Sequence, residues 1–151
     1  MFIFEVLLQL RKNTLKGVET LSTEQLNTIP KGHNNNIIWH IGHMMASQQS
    51  LCYSRSGAIP QLPMAFIDKY RKGTSPKEWT EPVKLDEIKP LFLSTAEVFE
   101  AEYKAGKFKA YESYTTAAGA VLTTIEDAIT YSYGHENLHY GNILTMLKIV
   151  K

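Results

Sequence analysis

The chain has 151 residues, of which 44% are hydrophobic and 21% are charged, and its formal net charge is +1. This length and composition are typical of one globular domain with one core, so residues 1–151 are predicted to form a single domain. The near balance of charges provides no basic surface for nucleic acid or for an anionic membrane. Both classes of partner are therefore disfavoured.

The single cysteine, Cys52, excludes an internal disulfide and is typical of a protein of the reducing cytoplasm. Its neighbours are apolar, which predicts a buried structural thiol rather than a reactive one. The apolar N-terminus contains Glu5, lacks a basic segment and is too short to cross a membrane. Neither a signal peptide nor a membrane span is predicted, and the expected location is the cytoplasm.

The first 30 residues predict one long helix and one short helical turn. Apolar residues recur at 3–4-residue spacing from Ile3 to Leu21, as on one face of an amphipathic helix. Residues 22–25 then match a capping box, which predicts a short turn that continues to about Thr28 and stops before Pro30.

A second long helix is predicted at about residues 37–54, after a polar loop whose asparagines can cap it. This segment is apolar on more than one side, which predicts burial on both sides. It contains His40 and His43, and the periodicity does not decide which of the two faces inward.

Residues 57–82 contain four prolines and two glycines and are interpreted as one long crossover with a short helix at 65–71. A connection of this length in a compact domain has a functional or topological cause, such as covering the mouth of a site. Lys69, Arg71 and Lys72 form a small basic cluster here, for which a solvated face is the favoured interpretation.

A third long helix is predicted from Leu85 or Asp86 to about residue 105, followed by Gly106. Proline is best tolerated in a first helical turn, so Pro90 predicts a start near residues 87–89. Residues 107–122 are predicted to form a loop.

The last helix is predicted to begin at a capping box in residues 123–126 and to continue to the C-terminus. Its apolar stripe includes His135 and His139. No segment shows the alternation of a strand. Four long helices with one long crossover predict an all-α, four-helix bundle.

Two imidazoles one helical turn apart can reach one metal ion, which is why His pairs at i, i+4 recur in zinc sites. On an apolar stripe both rings need polar partners, and an unsatisfied buried group costs about 1–3 kcal/mol. A divalent metal bound by His135 and His139 would satisfy both rings. A third histidine from the second long helix, His40 or His43, would complete a site open to water or substrate.

Residues 135–139, His-Glu-Asn-Leu-His, also match the H-E-x-x-H motif of zinc peptidases, in which the glutamate is the general base. The longer form of that motif is absent, since Gly141 follows the second histidine by two residues and no third histidine comes after it. Only twelve residues follow His139, too few for a distant downstream ligand. A zinc peptidase is therefore disfavoured.

The pattern Asn36-x-x-Trp39-x-x-Gly42-His43, followed by His135-x-x-x-His139-x-Gly141-x-Ile143, resembles the DinB/YfiT superfamily. The segments at residues 21–30 and 123–128 are similar to the family as well. The resemblance covers the whole chain.

The resemblance implies an up-down four-helix bundle with one long crossover, which commonly forms a homodimer. It also implies a divalent metal, zinc or nickel, held by His43, His135 and His139. His40 falls outside the family's ligand positions and is expected beside the site or at the surface. Characterised relatives activate a low-molecular-weight thiol, as in bacillithiol and mycothiol S-transferases.

Three hypotheses follow. The first is a metal-dependent thiol S-transferase acting on a small-molecule substrate. The second is a metal-dependent hydrolase with Glu136 as general base. The third is a non-catalytic, dimeric helical scaffold in which a metal only joins two helices. The sequence does not identify the catalytic residues, the cofactor-binding residues, the substrate or the metal.

Overall fold

A computed structural model describes residues 1–151 and shows a helical protein with one small hairpin. The prediction of an all-α fold is confirmed. Four long segments form the bundle, and two short helices lie in the connections. The elements are α1 Phe2–Val18, α2 Thr23–Asn27, α3 Ile37–Gln48, α4 Met64–Tyr70, α5 Leu85–Lys104, β1 Tyr114–Thr115, β2 Val121–Leu122 and α6 Ile125–Val150.

The four long helices form a ring in which α1 and α3 each pack against both α5 and α6. Arg11 of α1 bonds to Glu136, and Gly17 lies beside Leu147, so α1 and α6 are parallel. By contrast, α3 is antiparallel to α6 because His40 lies by His139 and Cys52 by Ser132.

Helix α5 is antiparallel to α1, since Phe4 packs on Phe99 whereas Arg11 bonds to Phe92. The helix directions are therefore up, down, down, up. Because α3 and α5 run the same way, the chain must return along the bundle between them. This explains the long crossover, which carries α4 and packs it against α3.

Two predicted helix starts are wrong by small amounts. Helix α5 begins at Leu85, one of the two starts first predicted, so the shift to residues 87–89 that Pro90 suggested is wrong, and Pro90 lies inside the helix. Pro90 and Asp86 are exposed, so water can bond to the Asp86 carbonyl that a proline cannot satisfy. Helix α6 is capped by Thr124, whose hydroxyl accepts from Asp127 N, one residue later than the predicted capping box.

Two local features were not predicted. Residues 107–122 contain the β1–β2 hairpin, with Tyr114 opposite Leu122, where the sequence indicated only a loop. The predicted helix at 37–54 is α-helical to Gln48 and then widens into a π-helical turn at Gln49–Tyr53. Turns of this kind are frequent at functional sites, and this one borders the cavity described below.

None of the helices is both long and apolar enough to cross a membrane.

Candidate metal centre

Three histidines from two helices converge on one point. His43 comes from α3, whereas His135 and His139 lie one turn apart on α6. One ring nitrogen of each residue lies within 4.8 Å of the others, so the three side chains could hold a metal ion. The Nε2 atoms of His135 and His139 are 3.1 Å apart. A zinc–imidazole bond is about 2.0–2.1 Å long, so one ion could bond to nitrogens at this spacing.

The ring of His43 is fixed on two sides. Its Nδ1 donates a hydrogen bond to the carbonyl oxygen of Tyr70 at 2.7 Å, which places the lone pair on Nε2, where the Ser47 hydroxyl lies 3.4 Å away. Trp39 stacks on the ring with centroids 4.4 Å apart and an interplanar angle of 11°. The Trp39 indole in turn donates to Thr74 Oγ1. His43 is therefore oriented before any ligand binds.

Gly42 explains how Tyr70 reaches His43. A Cβ at position 42 would lie 2.3–2.5 Å from atoms of the Tyr70 ring, closer than real side chains approach. The glycine allows α4 to pack directly on α3, which brings the Tyr70 carbonyl to the histidine. The glycine directly before His43 thus allows the close contact between α3 and α4 that places the Tyr70 carbonyl within hydrogen-bond distance of His43.

His40 is buried beside the cluster. Its Nδ1 lies 2.8 Å from Nδ1 of His139, so one ring donates to the other. If His139 binds a metal through Nε2, its Nδ1 carries the proton and donates a hydrogen bond to Nδ1 of His40. Of the two expected positions for His40, the structure shows the one beside the site. The loop residue His33 is not among the three converging histidines.

Burial lowers the pKa of all four clustered histidines, and the neighbouring rings lower three of them further. The pKa of His40 and that of His135 fall to about 4, and that of His139 falls to about 2. Burial also lowers the pKa of His43, and the hydrogen bond to Tyr70 opposes this. The rings are therefore neutral at pH 7, the form that binds metal.

The histidines line a cavity of about 670 Å³, a size suited to a small-molecule ligand. Apolar and aromatic groups, among them Leu51, Tyr131 and Leu138, form much of its lining. The crossover contributes Arg71 and Lys72, and the hairpin contributes Tyr114 to Ala118 except Thr115. No carboxylate side chain lines the cavity.

Glu136, the general base of the hydrolase hypothesis, does not line the cavity. Its carboxylate accepts from Arg11 Nε at 3.0 Å and from Arg11 Nη2 at 2.5 Å, and both side chains are fully buried. Arg11 also donates to the Phe92 carbonyl and to Thr95 Oγ1. The motif in residues 135–139 therefore supplies two cavity histidines and one structural carboxylate. Because Glu136 is buried outside the cavity and paired with Arg11, it is not placed to act as a general base there.

Sequence reasoning missed Tyr70 and Arg11. Tyr70 acts on His43 through its backbone carbonyl, and a carbonyl leaves no trace in residue type. There was a weak signal for Arg11 in the sequence, because this charged residue falls on the largely apolar stripe of α1. The residues around it on that stripe are buried. Cys52 is buried as predicted, and burial raises its pKa to about 12, which keeps the thiol protonated.

The fold and the histidine cluster define a class of protein: a four-helix bundle whose centre offers three neutral imidazoles to a metal ion. A family model of the DinB superfamily matches residues 7–143. The chain belongs to the DinB superfamily. No curated protein matches the chain.

Proposed function

We propose that the protein is a metal-dependent enzyme that binds one divalent ion through His43, His135 and His139 and activates a thiol. The observation that carries the proposal is the convergence of three neutral histidines, all largely shielded from solvent, at the wall of a cavity. A bound divalent ion lowers the pKa of a coordinated thiol or water and so makes a nucleophile at neutral pH.

The cavity favours an enzyme over a scaffold. A structural zinc site is closed by four protein ligands, whereas a catalytic site has three and keeps one position for water or substrate. Here three histidines converge, and the adjacent cavity gives a small molecule access to the fourth position.

The absence of a carboxylate from the cavity lining favours a thiol over water. Hydrolysis by metal-bound water commonly uses a carboxylate as general base, and Glu136 is held by Arg11. A coordinated thiol loses its proton outright and needs no such base. The favoured activity is therefore an S-transferase reaction, in which the thiol proton passes to solvent and the sulfur forms a bond to a carbon of the electrophile as the bond from that carbon to its leaving group breaks. Three imidazoles suit both zinc and nickel, which are the proposed metals.

Metal analysis of the purified protein tests the ligand set. We expect about one equivalent of zinc or nickel per chain, lost in His139→Ala and retained in His33→Ala, which removes a histidine outside the cluster. Circular dichroism should show an intact bundle in both variants. Equal metal content in the two variants, or no affinity for zinc or nickel in the parent chain, would refute the proposal.

A conjugation screen tests the activity. Small thiols are incubated with small electrophiles, and thioether formation is followed by mass spectrometry with zinc-loaded protein, metal-free protein and His139→Ala. We expect turnover only with the loaded parent chain. Equal rates in all three samples would leave a metal-binding scaffold as the function.

We also propose a homodimer. Apolar side chains of α6 outside the cavity lining are exposed, with Leu144 42% and Ile149 52% accessible. A second copy of the chain could cover part of this surface. Light scattering after size exclusion tests it, and a monomer at all concentrations would exclude it. The cytoplasmic location stays a prediction, which the single unpaired cysteine supports.

A further inference from the structure

One part of the cavity wall is basic. Arg71 and Lys72, which directly follow α4, line the cavity beside the histidines. No aspartate or glutamate lines it. Arg71 and Lys72 therefore give the lining two positive side chains and no negative one, although the whole chain is nearly neutral.

The basic pair is tied to the candidate metal ligands. Tyr70, the residue just before Arg71, accepts the hydrogen bond from His43 Nδ1 through its carbonyl oxygen. The backbone at Arg71 is thus held next to His43 by a contact of 2.7 Å and by the close packing of Tyr70 on Gly42. A charge at this position is consequently part of the site rather than a distant surface charge.

The pair is available to a ligand. Lys72 forms no hydrogen bond and no ion pair, and Arg71 forms only one exposed ion pair, from Nε to Asp68 at 3.4 Å. An exposed pair of this kind is weak, and the Nη groups of Arg71 are free. Lys69 of the same segment differs, because its ammonium lies 4.7 Å from the centre of the Trp79 ring and does not line the cavity.

The cavity is different beside His135. There the ring of Tyr131 lies 6.2 Å from that of His135, and Leu138, three residues further along α6, contributes apolar surface. The lining therefore combines metal-binding nitrogens, a basic pair next to His43 and an apolar area near His135. Such a lining suits one ligand with an anionic end and a second, apolar ligand.

We infer that the cavity selects thiols that carry an anionic group, a carboxylate or a phosphate, which Arg71 and Lys72 bind while the sulfur reaches the histidine cluster. The apolar area near Tyr131 and Leu138 accepts the electrophile. The inference rests on the proposed function for the role of the sulfur. The solvated-face interpretation of the basic cluster then holds for Lys69 alone.

Cobalt-loaded protein provides the test, because a thiolate bound to cobalt gives a charge-transfer absorption. We titrate ω-mercaptoalkanoates of increasing chain length and compare each acid with its neutral methyl ester. For the best chain length we expect the acid to bind about 2- to 30-fold more tightly than the ester, as two exposed charges allow. The preference should shrink at about 1 M ionic strength, where such charges are screened.

Matched variants separate the basic pair from chelation of the metal by the carboxylate. In the double variant Arg71→Gln/Lys72→Gln we expect the preference to disappear while cobalt content is unchanged. Lys69→Gln removes one charge from the same segment outside the cavity and should keep the preference. A preference that survives in the double variant, or that Lys69→Gln abolishes equally, would overturn the inference.

A second measurement separates this inference from the proposed function. If the protein takes up no cobalt or binds no thiol, the proposed function fails, and the anion site is then tested in metal-free protein. Nuclear magnetic resonance titration with succinate should shift the backbone signals of Lys72 and Gly73, and titration with neutral succinamide should not. Absence of these shifts, or shifts of equal size in Arg71→Gln/Lys72→Gln, would overturn the inference.

Discussion

Helix α6 presents two neighbouring residues, His135 and Glu136, to very different surroundings. His135 borders a cavity, and the only ring nitrogens facing its Nε2 belong to another candidate ligand. Glu136 points about 100° further round the helix and is fully buried, and Arg11 donates to both of its carboxylate oxygens. One short sequence motif thus divides between a cavity that can bind a ligand and a core contact that is already complete.

The two regions differ in whether their polar atoms already have hydrogen-bond partners within the protein, and not only in how deeply they are buried. The ion-pair region joins α1, α5 and α6, since Arg11 also bonds to Phe92 and Thr95. Its polar atoms have partners within the protein, so it has no capacity for an external ligand. The histidine region concentrates neutral nitrogens that only one another, Tyr70 and Ser47 contact. A metal ion would give these nitrogens a further bonding partner.

The largest expected effect comes from breaking the ion-pair region. Arg11→Leu leaves the Glu136 carboxylate buried without a partner, and loss of one member of a buried pair costs about 3–5 kcal/mol of unfolding free energy. Urea denaturation of parent and variant measures the difference.

The double variant Arg11→Leu/Glu136→Leu is the control for this change. It removes both charges together, so most of the lost stability should return. Metal content should stay near one equivalent in every variant that folds, because the pair does not line the cavity. Loss of metal from a folded Glu136→Gln variant would contradict the division between the two regions.

The next effect lies within the histidine region. His40→Phe removes the acceptor for Nδ1–H of His139, and loss of such a partner typically lowers metal affinity about 10- to 100-fold. A competition titration with a chromophoric chelator measures the affinity. His40→Gln keeps an acceptor and should recover part of it, whereas His33→Phe should bind metal like the parent chain. Unchanged affinity in His40→Phe would show that this contact does not orient His139.

Much of the fold was predictable because it depends on patterns that residue type records. The spacing of apolar residues predicted all four long helices, and the proline-rich segment predicted the crossover. The structure also brings together His43, His135 and His139, the set that the family resemblance implied. Pairing and hydrogen bonding were less predictable. Nothing in residue type indicates that the carbonyl of Tyr70 meets His43 or that Glu136 meets Arg11.

The smaller errors of the sequence-based prediction also concern features that residue type does not record. Two residues per strand are too few to show alternation, so the hairpin was missed. Pro90 was judged by its usual position, whereas the exposed start of α5 lets water bond to the carbonyl that the proline leaves unpaired. The role of Gly42 depended on a neighbour from α4 that the sequence does not specify.

Gly42→Ala tests how that neighbour maintains the site. The added methyl overlaps the Tyr70 ring, and forcing an extra group into a packed core costs about 1–3 kcal/mol. Displacement of Tyr70 also removes the hydrogen bond to His43, so metal affinity should fall together with stability. Gly134→Ala is the matched control, because a Cβ there meets nothing within 4 Å and alanine favours a helix by about 1 kcal/mol. Equal effects of the two substitutions would refute the close-contact explanation.

The pH dependence of the metal-free protein is the smallest effect, when it is expressed as the change in unfolding free energy per pH unit. Burial lowers the pKa of His40 and of His135 from 6.5 to about 4, so the folded state binds fewer protons than the unfolded state between these values. Unfolding in this range takes up protons, and stability is therefore present above pH 6.5 and is lost as the pH falls towards 4. Each proton taken up contributes about 1.4 kcal/mol per pH unit, and we expect a slope of at least one proton. Urea denaturation at a series of pH values measures it. From pH 7 to 8 the unfolded-state rings lose their remaining protons, so their contribution to the slope should fall towards zero by pH 8. A flat profile from pH 6.5 to 4 would mean that the cavity already solvates charged imidazoles, and the histidine region would then resemble an ordinary surface.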